Sequence, residues 1–283
     1  MSSEIPITVG VLALQGAFNE HIQLLREAAQ TISLRETESK RKWKFTFSEI
    51  RNKNELATCD ALIIPGGEST AISLVAERCG MLEPLREFVK VSRNPTWGTC
   101  AGLILLAESA NTSSTKLGGQ SLIGGLDVRV NRNHFGRQTE SFQANLFLPF
   151  LSPTNSTEKS EESSSKEIKQ KPFRAIFIRA PIVEKVLSPV QGIQAQEASK
   201  ENIIVAPSKE MTPEIASRFT VEEVEVLGRL DRGKEGEDEG EIIAVRQGNC
   251  FGTSFHPELT GDERIHVWWL EGVVRDVVGR RGL

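Results

Sequence analysis

The sequence predicts an α/β fold of three layers, with a central, mostly parallel sheet covered by helices on both faces. Two observations carry this. Through residue 108, short apolar runs alternate with segments of helical period, the order that builds a parallel sheet. Some of those runs are wholly apolar and empty into glycine turns, as strands buried on both faces do.

The elements follow in order. Ile7 to Leu14 is rich in Val and Leu and predicts the first strand, ending in the Gln15-Gly16 turn. Phe18 to Ala29 carries Ile22, Leu25 and Ala29 at helical spacing. Thr31 to Lys44 is polar and charged and is expected to be an insertion, with the next strand over Phe45 to Ile50. Ala61 to Pro65 is a strand opening into Gly66-Gly67, followed by helices over Ser69 to Glu77 and Leu82 to Val89. Pro95 to Thr99 is a brief strand, and Ala101 to Glu108 an apolar helix. The second half changes character, with short strands expected at Leu126 to Val130, Ser141 to Leu146, Ala175 to Arg179, Ile203 to Ala206, Ile242 to Arg246 and Cys250 to Ser254. Val267 to Val278 closes the chain as a helix.

All 283 residues are expected to form a single domain. Exposed insertions are expected at residues 31–44, 152–171 (rich in Ser, Glu and Lys) and 208–241, whose last part is acidic and glycine-rich. None divides the chain into self-sufficient cores. The net charge of −4 gives no reason to expect nucleic acid or an anionic membrane as partner. The N-terminus lacks the basic region and apolar core of a signal peptide, and no run approaches the ~20 apolar residues that span a bilayer. Cys59, Cys79, Cys100 and Cys250 show no C-x-x-C spacing. A disulfide scaffold or metal site is therefore not expected, and a reducing, cytoplasmic setting is. The chain has no tyrosine, so no tyrosine chemistry is available.

Four segments carry chemistry. Gly98-Thr99-Cys100-Ala101-Gly102 sits between a strand and an apolar helix, the cysteine form of a nucleophile elbow. The glycines clear space for neighbouring backbone, the helix N-terminus favours thiolate, and the Ala101 N–H is placed to stabilise an oxyanion. The same five residues would also suit a buried structural cysteine. Ser254-Phe255-His256-Pro257-Glu258 follows the last strand. His256 supplies a base near neutrality, and a carboxylate two residues on can hold its ring. Of the other histidines, His21 and His266 read as surface or packing residues, while His134 is a rival base in an arginine-rich segment. Pro65-Gly66-Gly67-Glu68-Ser69-Thr70 exposes backbone N–H groups where open α/β sheets bind ligands, although alone it also fits a plain turn with Ser69 as helix cap. Lastly, Arg132 to Gln138 and Phe177 to Pro181 place arginines that can clamp a carboxylate, or simply face solvent.

Together these segments closely resemble the glutaminase subunit of pyridoxal 5′-phosphate synthase, the Pdx2/PdxT (SNO) family. The resemblance rests on Gly10 to Ala17, Ile64 to Thr70, Trp97 to Ala107, Arg132 to Phe142, Phe177 to Pro181 and Val245 to Thr260. It implies a class I glutamine amidotransferase (flavodoxin-like) fold. It also implies a Cys100–His256–Glu258 triad that hydrolyses L-glutamine through a glutamyl thioester, with an oxyanion hole at Gly67 and Ala101. Gly67, Glu68, Ser69, Arg132, Ile178 and Arg179 would bind the glutamine. No cofactor is implied. Ammonia would pass to a separate synthase subunit in a hetero-oligomer, with the turn at Gln15 and Gly16 near that interface. Ile182 stands where a histidine often follows in the family, and the insertions suggest a eukaryotic, fungal form. An amidotransferase serving another synthase, or a non-catalytic regulatory module of the same fold, are the competing readings. Retention of Cys100, His256 and Glu258 together speaks against the module.

Overall fold

The protein is described by a computed structural model covering residues 4–35, 42–112, 120–132, 134, 141–152, 171–188, 193–209, 223–231 and 240–283. Five strands form the parallel half of the sheet. They are β1 (Glu4–Leu12), β2 (Lys42–Ile50), β3 (Ala61–Ile64), β4 (Thr96–Thr99) and β13 (Cys250–Thr253), lying in the order β2-β1-β3-β4-β13. Beyond β13 the sheet is mixed. The strands there are β12 (Glu241–Gln247), β9 (Ile182–Val186), β6 (Leu126–Asn131), β5 (Ala107–Asn111) and β10 (Ile203–Val205), with β11 (Glu225–Leu230) also paired to β12. Outside this sheet, β7 (Ser141–Leu146) and β8 (Phe173–Ile178) form an antiparallel ribbon.

Alternation along β3 and β4 separates two cores. Leu62 and Ile64 face the layer of α3 (Ser69–Arg78), α4 (Leu82–Arg86) and α5 (Ala101–Leu106). Ala61, Ile63 and Trp97 face α1 (Phe18–Arg35), the C-terminal helix and the ribbon strand β8. Trp97 is fully buried there. The helices do cover both faces of the sheet, as the sequence predicts. Among the described residues no helix is long and apolar enough to cross a membrane.

Several elements depart from the sequence reading. Helix α1 runs on to Arg35 and β2 begins at Lys42, so both ends of the expected insertion at 31–44 are regular structure, and residues 36–41 lie outside the described residues. The helix after Cys100 stops at Leu106, and Ala107 to Asn111 is strand β5. Buried Glu108 explains the change: it accepts the Gly125 N–H and a 2.7 Å ion pair from Lys90, anchoring that segment in the sheet. Strands β9 and β11 were not expected, and β11 lies inside the third expected insertion. Among the described residues, short helices α2 (Lys53–Leu56) and α6 (Ile193–Ala198) also precede α7 (Arg264–Arg281). Most of the 152–171 segment, much of 208–241, and Asn133 with Phe135 to Gln138 lie outside the described residues.

Candidate active site

Parallel strands β3, β4 and β13 are neighbours, so their carboxyl ends deliver three motifs to one place. Cys100 follows β4 at φ 48°, ψ −99°, a left-handed conformation costly for any side chain but glycine. Its N–H donates to the Thr253 carbonyl at 2.8 Å, which ties the elbow to β13. The flanking glycines are required by contact. A Cβ on Gly102 would lie 2.0 Å from the Ile64 carbonyl oxygen, and one on Gly98 2.4 Å from the Gly102 backbone. Cys100 is itself buried, 6% exposed, and its Sγ lies 4.0 Å from the Ile178 carbonyl oxygen.

His256 leaves β13 before the short turn Pro257–Leu259, and its N–H donates to the Ile176 carbonyl of β8 at 2.8 Å. Its Nδ1 lies 2.7 Å from Glu258 Oε1. Burial alone would push this imidazole down. Hydrogen bonds with Cys100 and Glu258, and the charges of both, outweigh burial and raise it to about 10. Glu258 is 5% exposed and stays below the usual carboxylate range: burial opposes ionisation, but His21 and His256, both pressed against it, favour it. At neutral pH the His–Glu pair is therefore a cation held by a carboxylate.

In front of Cys100 lies a small cavity of about 100 Å³, lined by Gly67, Glu68, Ser69, Cys100, Ala101, Ile104, Arg132, Ile178 and Arg179. Every residue expected to bind substrate or form the oxyanion hole is in that lining. Ile104, one turn into α5, was not foreseen, although an i+4 spacing from Cys100 signals it. Arg132 follows β6, and its guanidinium donates to the hydroxyls of Ser69 and Thr70 at 3.1 and 3.0 Å. Burial lowers its affinity for its proton and nearby Glu68 opposes this. Glu68, rather than Ser69, caps α3: its carboxylate accepts the N–H groups of Thr70 and Ala71 at 3.0 and 2.7 Å. The loop is pinned from α1's side. The Ala17 N–H donates to the Gly66 carbonyl at 3.0 Å, and the Gln15 amide oxygen accepts the Glu68 N–H at 2.9 Å.

The rival base is placed elsewhere. His134 Nε2 sits 2.5 Å from Glu241 Oε1, whereas it is His256 that hydrogen-bonds Cys100. Of the surface and packing readings of His21 and His266 the structure bears out packing: both are fully buried against Trp97, and His21 also touches Glu258. Among the described residues no group of three or more side chains suited to a metal comes together. All four cysteines are free thiols.

A model of the SNO glutamine amidotransferase family matches residues 11–222 and 212–275. The chain is 39% identical over 266 residues to the Arabidopsis thaliana protein named "Probable pyridoxal 5′-phosphate synthase subunit PDX2", spanning 94% of this chain and 85% of that one. It is 38% identical to the "Pyridoxal 5′-phosphate synthase subunit PdxT" of Streptomyces avermitilis, spanning 91% of this chain and 90% of the relative. A solved structure described as a glutamine amidotransferase superposes with a TM-score of 0.57 at 32% identity, over 94% of this chain and 98% of the other.

Proposed function

Since the chain belongs to the SNO glutamine amidotransferase family, we propose that it hydrolyses L-glutamine at Cys100 as the glutaminase subunit of a pyridoxal 5′-phosphate synthase. The observation that carries the chemistry is Cys100 in the wall of the cavity that holds Arg132, with His256 hydrogen-bonded to it and held in turn by Glu258. The cavity is small, which suits an amino acid and not a peptide.

Cys100 Sγ attacks the side-chain amide carbon, and the carbonyl oxygen gains the charge that the N–H groups of Gly67 and Ala101 are to stabilise. His256 delivers its proton to the leaving nitrogen, so that ammonia departs and a glutamyl thioester remains. Water, deprotonated by the now neutral His256, attacks the thioester. Glutamate leaves and the proton on His256 is restored. Glu258 keeps the ring oriented through Nδ1 in both steps. Arg132, Ser69 and Arg179 serve the α-carboxylate and amino end of the substrate, with the carboxylate taken by the guanidinium fork. The synthase partner receives the ammonia, and the subunit names of the relatives in Arabidopsis and Streptomyces support that assignment. A cytoplasmic setting belongs to the same reading, supported by four unpaired thiols.

The test is glutamate release from glutamine by the full chain, with and without a synthase subunit from the same source. Stimulation by the subunit that is lost in Cys100→Ala, with folding and complex formation intact, is the expected result. Residual turnover in clean Cys100→Ala protein refutes the nucleophile. High activity unaffected by the subunit refutes the pathway and leaves the glutaminase.

A further inference from the structure

Two buried histidines lie against Glu258, and the reaction above makes no use of them. His21 on α1 and His266 on α7 are both fully buried. His21 Nε2 stands 3.4 Å from Glu258 Oε2 and 3.2 Å from the hydroxyl of Thr99, the residue before the nucleophile. Its other ring nitrogen, Nδ1, stands 3.0 Å from His266 Nε2. The Trp97 ring packs edge-on against both imidazoles, with centroids 5.6 Å from His21 and 4.8 Å from His266.

The proton positions follow from what each arrangement leaves unpaired. A contact between two ring nitrogens needs one donor and one acceptor. If His266 Nε2 donates, His21 Nδ1 accepts, and the His21 proton sits on Nε2, facing Glu258. The nitrogen left over is then His266 Nδ1, a bare acceptor, and that atom is buried without a hydrogen-bond partner. In the opposite arrangement His21 Nε2 can accept from the Thr99 hydroxyl but faces the carboxylate lone pair to lone pair, and His266 Nδ1 carries a buried N–H with no acceptor. An orphaned buried donor is among the rarer and costlier defects of a folded chain, so the first arrangement is the stable one. Charged forms are also disfavoured. Burial pushes His21 down to about 3 even against the pull of Glu258, with His266 and His256 adding to the burial effect, and burial pushes His266 down to about 3.

We propose that His21, oriented in turn by His266, is a positioning residue for the triad, its Nε2–H holding Glu258 Oε2 so that Oε1 meets His256. Five side chains then run in line: Cys100, His256, Glu258, His21 and His266. The inference rests on the reading of Cys100, His256 and Glu258 as the reacting set. Glu258 Oε2 is a buried carboxylate oxygen that makes no ordinary hydrogen bond here; His21 Nε2 approaches it at 3.4 Å while also standing 3.2 Å from the Thr99 hydroxyl, so the hold is an electrostatic approach that a small shift of the ring turns into a hydrogen bond. The placement also links two parts of the site. The turn that opens α1 holds the Gly66–Glu68 loop, and His21, one turn later, holds the triad acid.

The test compares His21→Leu, which removes the donor, with His21→Gln, whose amide nitrogen reaches the position of Nε2. Two quantities are read on the full chain: kcat and KM for glutamine with the synthase subunit present, and the pH midpoint of Cys100 alkylation by iodoacetamide. A hydrogen bond to a charged group corresponds to a roughly 10–100-fold effect. His21→Leu is expected to lose that much in kcat, to keep KM within about two-fold of the parent, and to move the alkylation midpoint up by about one pH unit. His21→Gln recovers most of both. A residue that merely fills space would lower Tm without moving the midpoint. An unchanged kcat and midpoint in folded His21→Leu overturns the proposal, as does His21→Gln behaving like His21→Leu. Should His21→Leu not fold, ring-nitrogen NMR shifts of 15N-histidine in the unaltered protein decide: neutral Nε2–H tautomers for His21 and His266 between pH 5 and 8 are expected. A His21 proton on Nδ1, or a His21 cation, overturns the proposal. If unaltered protein shows no alkylation at Cys100 and no glutaminase activity, the triad reading fails. If it shows both and the variants do not move, only the positioning role fails.

Discussion

Arg132 stands at the cavity as a cation whose direct partners are two hydroxyls. That leaves its charge for a ligand carboxylate, and the fork geometry of guanidinium makes the match bidentate. Replacing it with Leu is expected to raise KM for glutamine by about 10–100-fold while changing kcat less, and Lys is expected to restore only part of it because a point charge lacks the fork. An unchanged KM in Arg132→Leu places the carboxylate elsewhere. Glu258 acts on the proton side. His256 is held up to about 10 against burial, partly by the charge of Glu258. Activity that needs the imidazolium therefore persists on the alkaline side until about pH 10 and fails above it. In Glu258→Gln one raising influence is gone, so the alkaline limb of kcat/KM is expected to shift to lower pH; a limb that stays put assigns it to another group. At this scale the sequence was most legible where function is local. The eight cavity residues it named stand at or just beyond strand ends, and short motifs announce strand ends. The pairing of His21 with His266 was not legible because their contact spans 245 positions. A signal existed even so. His21, Leu25, Ala28 and Ile32 are all buried at spacings of 4, 3 and 4, as are His266, Leu270, Val273 and Val277. A histidine inside an apolar stripe is a buried histidine, and a buried histidine needs a partner.

Two glycines show how elements, and not only side chains, set the site, and they separate stability from function. Gly102 lets α5 approach β3 until the place of its absent Cβ is 2.0 Å from a backbone oxygen. Gly102→Ala must push a helix off a strand, and by analogy with overpacked cores it is expected to cost at least ~2 kcal/mol of stability, read as a lower urea midpoint. At Gly66 the absent Cβ would lie 2.3 Å from His256 Cε1, a side-chain atom. Gly66→Ala is expected to displace that ring, removing most glutaminase activity while the melting temperature changes little. The reverse pattern, a stable Gly102→Ala or an active Gly66→Ala, contradicts these approaches. The elements that escaped the sequence are those whose state is decided from outside. The run Ala101 to Leu106 has the apolar composition of a helix, and nothing local marks its end at Leu106. The N–H groups of Ile123 and Gly124 reach the Leu105 carbonyl and Glu108 ties down the next turn, so tertiary contacts make the following residues a strand. Strand β11 is glycine-containing and charged, pairs among the described residues with β12 alone, and carries register irregularities at Gly228. Such strands have little hydrophobic alternation to read.

Across the whole molecule, α1 and α7 are joined by the same histidine pair that stands behind the triad, so acid attacks packing and site together. The sign follows from the shifts. Both histidines fall from 6.5 to about 3 in the folded protein because burial disfavours charge. The unfolded chain therefore binds up to two more protons than the native one between these values. The stability that neutrality brings is present above pH 6.5 and is lost as pH falls toward 3. Two protons correspond to a slope of roughly 2–3 kcal/mol per pH unit where both differ fully. Carboxylates held low in the fold, such as Glu258, add the same sign only once pH falls below their unfolded values near 4.5. The window from pH 6.5 to 5 thus isolates the histidines; His256, raised to about 10, opposes the two buried rings near pH 6.5, and its effect fades as the unfolded imidazole takes its proton below that value. Urea midpoints measured across it are expected to fall steadily in the unaltered chain and about half as steeply in His266→Leu, which leaves one buried histidine. A midpoint independent of pH in this window would mean that both rings already carry a proton in the native state. The neutral pair that binds the two helices behind Glu258 would then have to be abandoned.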